Sequence, residues 1–207
     1  MKLILVRHAE SLCNQENRFP ESGEGDPLSP LGISQAKTLA DRITLICEQP
    51  LQLISSPTLR TLQTAQAIAG KFQASVIRES RLQEIDCGNW QGKPTKEIRN
   101  AFPELWQQRK HKPLIFQFPI GESLADVADR LKPFIETIRG ETFNDCRTLI
   151  LVSHSNTLSV LMALLLGWDL LESWQARRGY HSNAQYSIID KNAATGDFSL
   201  IANPTTT

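Results

Sequence analysis

Two short apolar runs with the same four residue types constrain the fold of this chain more than any other feature. They are Leu3-Ile4-Leu5-Val6 and Leu149-Ile150-Leu151-Val152. Apolar runs without polar alternation are typical of strands buried on both faces of a sheet. Arg7-His8 follows the first run and Ser153-His154 follows the second. Because ligands of open α/β sheets collect at the carboxyl ends of the strands, we expect a polar site where these two strands end.

Helical patterns separate the remaining strands. Serine caps followed by apolar residues at helical spacing predict helices that begin at Ser29-Pro30, at Ser56-Pro57 (ending near Gly70) and at Ser123. Further strands are predicted at 51–54 and 75–77, and a terminal hairpin at 186–190 and 198–201. We therefore expect an α/β fold: a three-layer αβα sandwich with a mostly parallel, doubly wound sheet and an antiparallel C-terminal edge.

The 207 residues are long enough for one large α/β domain. Since there is no internal repeat and no linker-like tract, we predict a single domain over residues 1–207. Residues 88–120 carry several prolines and short amphipathic pieces. We interpret this segment, called the excursion below, as a connection that passes over the sheet and covers the site.

The overall charge argues against some classes of partner. Lys plus Arg and Asp plus Glu both number 22, so the formal net charge is zero. Nucleic-acid and anionic-membrane binding usually need a basic excess, and we predict neither. No apolar run is long enough to span a bilayer or to form a signal-peptide core, which predicts a cytoplasmic protein. The four cysteines form no C-x-x-C pair, and we predict no metal and no cofactor.

Candidate site residues come from two further segments. Ser55-Ser56-Pro57 places Arg60 in the first turn of the predicted helix, where free N–H groups already favour an anion. A candidate acid that could protonate a leaving group follows the third strand. Glu84 and Asp86 are both candidates there, and the spacing does not choose between them.

These residues lie in motifs that resemble the histidine phosphatase superfamily, the phosphoglycerate-mutase-like proteins. The matching segments run in chain order from residue 6 to about 160. They are Arg7-His8-Ala9-Glu10-Ser11 with Asn14, Asp26-Pro27-Leu28-Ser29 with Gly32 and Gln35-Ala36, Ser55-Ser56-Pro57 with Arg60-Thr61 and Gln63-Thr64-Ala65, Glu84 with Gly88, Trp90 and Gly92, Gly121-Glu122-Ser123, and Ser153-His154.

The resemblance implies a phosphoglycerate-mutase-like fold and a role for each residue. His8 would be the nucleophile and form a phosphohistidine, and Glu84 would be the proton donor. Arg7, Asn14, Arg60 and His154 would bind the phosphate. Such transfer needs mainly positioning and charge stabilisation, which fixed guanidinium groups provide without a metal. His8 must attack as the neutral imidazole, so we expect a backbone carbonyl to hold its other ring nitrogen.

The implied activity is a metal-independent phosphatase that hydrolyses small-molecule phosphate monoesters. Cys87-Gly88-Asn89-Trp90-Gln91-Gly92 is similar to the phosphatase form of the family, and no Arg-Arg pair of the mutase type occurs between 85 and 120. Phosphoglycerate mutase-type transfer is the alternative. A non-catalytic phosphate-binding protein is a further one, although this chain keeps both the nucleophile and the acid.

Three features remain open at this stage. Ser155 stands where many members have Gly, and it would either narrow the pocket or add a hydroxyl donor. Gln91 replaces a common Glu at the periphery. The basic run Arg109-Lys110-His111-Lys112 either attracts a second anionic group of the substrate or forms a solvated helix end. The sequence indicates neither the physiological substrate nor the oligomeric state.

Overall fold

The computed structural model describes residues 1–21 and 26–202, and within them six strands form one sheet. The strands are β1 (Lys2–Arg7), β2 (Leu51–Ser55), β3 (Val76–Arg78), β4 (Thr148–Ser153), β5 (Tyr186–Lys191) and β6 (Phe198–Ala202). Their order across the sheet is β3-β2-β4-β1-β5-β6. The first four are parallel, whereas β5 runs antiparallel to β1, and β6 antiparallel to β5. This confirms the predicted mostly parallel sheet with an antiparallel C-terminal edge.

Helices connect the strands and cover both faces of the sheet. They are α1 (Leu12–Gln15), α2 (Pro30–Thr44), α3 (Leu59–Phe72), α4 (Thr95–Ala101), α5 (Pro103–His111), α6 (Leu124–Arg139), α7 (Ser155–Leu166) and α8 (Leu170–Gln175). The sequence pattern did not predict α1 and α8, because four and six residues are too few to show a helical period.

Alternate residues of β1 enter the two apolar layers. Leu3 and Leu5 pack in the cluster that contains the buried side chains of α6 and α7. Ile4 and Val6 pack on the opposite face with the apolar side chains of α2 and α3. Because successive side chains of a strand point to opposite faces, one continuous apolar run fills both layers. The three-layer αβα arrangement follows directly from this run.

Two of the three predicted serine caps are present. The Ser29 hydroxyl accepts from the backbone N–H of Gly32 at 3.0 Å, and Ser123 forms a capping box with Asp126. The third prediction was wrong, since α3 begins at Leu59 and its N-cap is Thr58. The reason is that the Ser56 N–H still donates to the Val152 carbonyl at 2.9 Å, which prolongs the strand ladder past β2.

The end of α3 lies close to the prediction. The helix runs two residues past Gly70 to Phe72, and Gln73 ends it with a left-handed backbone, at φ 53°. Glycine inside a helix lowers its stability but does not have to end it.

The excursion contains α4 and α5 and then returns to the segment that follows Glu84. The Asn89 N–H donates to the Pro119 carbonyl at 3.1 Å, and the Glu122 N–H donates to the Asp86 carbonyl at 2.9 Å. The Trp90 ring lies 5.2 Å from the Phe118 ring, edge to face. Hydrogen bonds and aromatic packing thus join the two ends of the excursion to each other.

Among the helices of residues 1–21 and 26–202, none has both the length and the apolar character that crossing a membrane requires.

Candidate active site

The sheet order brings three strand ends together. β4 lies between β1 and β2, with Arg7 opposite Ser153 and Ser55 opposite Val152. All three strands are parallel, so their carboxyl ends meet at one edge of the sheet. The rings of His8 and His154, far apart in the sequence, have centroids 5.1 Å apart there.

His8 is buried and held in one tautomer. Its Nδ1 lies 2.7 Å from the Ala9 carbonyl oxygen, which accepts only, so Nδ1 carries the proton and Nε2 keeps its lone pair. This is the carbonyl contact that the sequence analysis expected. Burial lowers the pKa of His8 well below its usual value, and the charges of Arg60 and Arg7 lower it further. His8 is therefore a neutral imidazole with a free nitrogen lone pair.

Arg60 lies at the centre of the buried polar cluster, with only 1% of its surface exposed. Its Nη1 donates to the Glu21 carbonyl at 2.9 Å and lies 3.3 Å from a carboxylate oxygen of Asp26. Burial lowers the pKa of Arg60, and the charge of Asp26 opposes that shift. Asp26 is itself held by the Ser11 hydroxyl and the Cys13 N–H, both at 2.9 Å.

The second histidine links Arg60 to the end of β2. Nη2 of Arg60 lies 3.3 Å from Nδ1 of His154, which must accept, because a guanidinium only donates. Nε2 of His154 therefore carries the proton and lies 2.9 Å from the Ser56 hydroxyl. Burial lowers the pKa of His154 well below its usual value, and Arg60 and His8 lower it further. Both histidines are thus neutral, and both guanidinium groups are charged.

Arg7 is fixed through a backbone carbonyl. Its Nη1 donates to the His181 carbonyl at 2.8 Å, and the Ser155 hydroxyl donates to the same oxygen at 3.3 Å. The Ser155 hydroxyl is thus used by the backbone, and the two possibilities for its effect on the pocket stay predictions. Ser155 therefore supports the backbone on which Arg7 rests.

Asn14 is placed by a residue from the other end of the chain. Its Oδ1 accepts from Nδ2 of Asn183 at 2.8 Å, and the same Nδ2 lies 3.2 Å from the His8 carbonyl. Asn183 thus holds Asn14 next to His8. Because the Asn14 side chain bonds to Ser11 and Asn183 through Oδ1, its amide NH₂ is the group it can offer to an anion.

The two candidate acids have different surroundings. The Glu84 carboxylate lies at the start of α7, where it accepts from the Asn156 and Thr157 N–H groups, each at 3.2 Å. The Asp86 carboxylate instead accepts from the Gly88 N–H at 2.7 Å and from the Gln91 side chain at 2.6 Å. Glu84 therefore lies beside the helix that begins after His154, whereas Asp86 holds a turn of the chain together. Gln91 belongs to that turn.

The structure gathers every predicted site residue at this edge and adds residues that the sequence analysis did not assign. Asp26 belongs to the Asp26-Pro27-Leu28-Ser29 motif, but the resemblance assigned no role to its side chain. Ser56 was interpreted as a helix cap, although its hydroxyl contacts His154. Nothing in the sequence pattern pointed to Asn183, because only the antiparallel pairing of β5 with β1 brings the start of β5 beside the end of β1.

Two cavities open beside the cluster. One, of about 280 Å³, is lined by Arg7, Asn14, Arg18 and Asn183 among others. The other, of about 380 Å³, is lined by Ile85 and Asn156, which both donate to Glu84, and by residues of the excursion. Within residues 1–21 and 26–202, His, Cys, Asp and Glu side chains form no group of three or more that could hold a metal ion.

The family model of the histidine phosphatase superfamily (branch 1) matches residues 3–204. Phosphoserine phosphatase 1 of Hydrogenobacter thermophilus is 40% identical over 191 residues, covering 91% of this chain and 86% of that protein. The probable phosphoglycerate mutase GpmB of Proteus mirabilis is 31% identical over 202 residues, covering 92% and 85%. A solved mycobacterial glucosyl-3-phosphoglycerate phosphatase, in complex with VO₃, is 27% identical with a TM-score of 0.83, and the match covers 99% of each chain.

The fold and the site thus define an α/β protein with a cluster of two histidines and two arginines at the strand ends. This chain belongs to the histidine phosphatase superfamily. The predicted family, the phosphoglycerate-mutase-like fold and the enzyme class, a phosphoric monoester hydrolase, are confirmed.

Proposed function

We propose that this protein is a metal-independent phosphatase that hydrolyses small-molecule phosphate monoesters through a phosphohistidine on His8. The observation that carries the proposal is the state of His8. Its Nδ1 is bonded to a carbonyl, and its pKa is lowered, so Nε2 offers a lone pair at neutral pH. A nucleophile needs that lone pair in its resting form.

The phosphate would lie between the guanidinium groups. The Nε atoms of Arg7 and Arg60 are buried and find no acceptor within residues 1–21 and 26–202. A buried donor without a partner is costly, so an anion that accepts from it binds favourably. Asn14 would add the N–H donors of its amide, and His154 would hold the Arg60 guanidinium in place through Nδ1. The helix start at Ser155 favours the same charge. This set matches the charge that develops on phosphoryl oxygens during transfer.

The reaction would proceed in two steps. Nε2 of His8 forms a bond to phosphorus while the bond from phosphorus to the ester oxygen breaks, and that oxygen takes a proton from the Glu84 carboxyl group. Water then attacks phosphorus and gives its proton to the Glu84 carboxylate. The P–N bond breaks, and the electron pair returns to Nε2 of His8. Two N–H groups at the start of α7 hold the Glu84 carboxylate in a fixed position, which supports its proposed role in both proton transfers.

Mutase-type transfer is the second candidate, since a probable phosphoglycerate mutase is 31% identical to this chain. Hydrolysis is favoured because the relative at 40% identity is named a phosphoserine phosphatase. Phosphoserine is accordingly the first physiological ester to assay. Incubation with 3-phosphoglycerate and 2,3-bisphosphoglycerate separates the two reactions. Phosphate release without 2-phosphoglycerate supports the phosphatase, and rapid formation of 2-phosphoglycerate contradicts it.

The mechanism is tested by trapping the phosphoenzyme. The protein is mixed with an activated aryl phosphate in the presence of EDTA, and its intact mass is measured at neutral pH within the first turnover. We expect a mass increase of one phosphoryl group that is absent in His8→Gln and present in His111→Gln, which changes an exposed histidine of α5. Glu84→Gln should keep the mass increase with this good leaving group but release phosphate slowly. A phosphoenzyme in His8→Gln would refute the assignment.

A further inference from the structure

The larger cavity beside Glu84 has an uneven distribution of charge. Arg109, Lys110 and Arg177 contribute to its lining, together with apolar side chains. None of the described residues that line it is acidic. The apolar part of the lining consists mainly of Ile85, Pro113, Phe116, Phe118, Leu124 and Trp174. Such a cavity suits a ligand with an apolar body and a negative charge.

Among the described residues, Arg109 lacks the carboxylate partner that two other half-buried arginines outside the histidine cluster have. Arg81 forms an ion pair with Glu79 at 2.6 Å, and Arg130 forms one with Glu122 at 2.9 Å. In the part of the chain that the structure describes, Arg109 has no carboxylate partner. Since its burial is not balanced by an opposite charge, an anion in the cavity would gain a strong, little-screened contact.

Aromatic rings hold the Arg109 guanidinium in place. Its Cζ lies 5.3 Å from the centre of the Trp106 ring and 5.9 Å from that of Phe118. Burial lowers the pKa of Arg109, which reports the loss of water around the group. Lys110, His111 and Lys112 are exposed, and of these three only Lys110 also contributes to the cavity lining. His111 and Lys112 belong to a solvated helix end, whereas Arg109 is the half-buried member of the run and faces the cavity.

The position of the cavity relative to Glu84 says which part of a substrate it would hold. The N–H groups of Ile85 and Asn156 donate to the Glu84 carboxylate at 2.9 and 3.2 Å, and both residues line the cavity. In the proposed mechanism Glu84 protonates the ester oxygen. The alcohol that carries this oxygen therefore lies on the cavity side of the site.

We propose that Arg109 binds a carboxylate on the alcohol part of the substrate, so that the preferred esters are phosphates of apolar alcohols that carry a carboxylate. This inference rests on the proposed function, because it assigns the cavity to the leaving alcohol. Arg109 is then a specificity-determining residue, and the two aromatic rings are the groups that position it.

The test compares two esters of nearly equal shape, 4-carboxyphenyl phosphate and 4-carbamoylphenyl phosphate, which differ in one negative charge. The measured quantity is the ratio of their kcat/KM values. We expect Arg109→Gln to lower this ratio about 10- to 100-fold, the usual range for losing a charge-assisted hydrogen bond. It should lower kcat/KM for the carbamoyl ester much less, because the carbonyl of that ester loses only a neutral hydrogen bond. Arg109→Lys should lower the ratio less, because it keeps the charge but loses the bidentate fork.

Lys112→Gln is the matched control, since it removes a positive charge three residues away from an exposed position outside the cavity lining. It should leave the ratio within about twofold, as screening weakens exposed charges. An equal loss for both esters in Arg109→Gln, or a similar ratio change in Lys112→Gln, would overturn the inference. These outcomes can be distinguished from a wrong proposed function. If the proposed function were wrong, the wild type would hydrolyse neither ester and form no phosphoenzyme.

Discussion

Replacing Gly32 by alanine should disturb the loop after β1, which carries His8 and Glu10, because Gly32 lies in α2 and packs closely against the Glu10 backbone. A Cβ atom built on Gly32 would lie 1.9 Å from the Glu10 carbonyl oxygen and 2.9 Å from its carbon. Contacts below 3.0 Å essentially do not occur for real Cβ atoms, so the two segments must separate by about 1 Å. The neighbouring atoms are backbone and cannot rotate away. Glu10 follows Ala9, whose carbonyl holds the imidazole of His8.

The magnitude follows from two opposing contributions. Overpacking costs about 1–3 kcal/mol, and contact with backbone favours the upper end of that range. Alanine in place of glycine stabilises a helix interior by about 1 kcal/mol. We therefore expect the free energy of unfolding of Gly32→Ala to fall by about 2 kcal/mol, which lowers Tm by about 4–8 °C for a chain of this size. Displacement of His8 should lower kcat/KM by up to about 100-fold.

Gly70→Ala is the matched control, because it makes the same chemical change inside α3. A Cβ at Gly70 meets nothing within 4 Å, so only the helix contribution remains. Urea unfolding should show Gly70→Ala stabilised by about 1 kcal/mol, with kcat/KM unchanged. If Gly32→Ala is as stable as Gly70→Ala and fully active, the close packing of α2 on the His8 loop is refuted as the reason for this glycine.

Two further predictions concern buried charge. Asp26→Ala leaves the Arg60 guanidinium without its carboxylate, so the free energy of unfolding should fall by about 3–5 kcal/mol. Inorganic phosphate should raise the Tm of this variant more than that of the wild type. An equal rise in both proteins would contradict the pairing of Asp26 with Arg60. Burial lowers the pKa of His181 to about 4. The unfolded chain binds a proton on this imidazole below about pH 6.5, whereas the folded protein binds it only near pH 4. The free energy of unfolding should therefore fall by about 1.4 kcal/mol for each pH unit as the pH is lowered from 6.5 to 4. In urea titrations over that range, His181→Gln should show a weaker dependence on pH.

The sequence predicted the elements that depend on local patterns. The strands β1 and β4 are found where the two continuous apolar runs predicted them. A strand that is buried on both faces can be recognised from its own residues alone. The same holds for the caps at Ser29 and Ser123, whose hydroxyls bond within three residues. The histidines of the site follow from these strands, because each comes directly after one.

Contacts between distant segments could not be predicted in this way. The start of α3 was misplaced because Ser56 bonds to a neighbouring strand and not to its own helix. The spacing of Glu84 and Asp86 left both as candidate acids, and only the placement of α7 gives them different surroundings. Asp26 needed the fold to bring it to Arg60.

By itself, the sequence determined that two buried strands end in histidines, and its motifs determined the family. Tertiary structure decided which atoms meet at that edge. It set the neutral tautomers of His8 and His154, the close approach of Gly32 to Glu10, and the separation of Arg109 from the exposed basic residues that follow it. The physical reason is one of range. Strand and helix patterns are read within a few residues, whereas burial, charge pairing and tautomer depend on groups that only the packed sheet and its helices bring together.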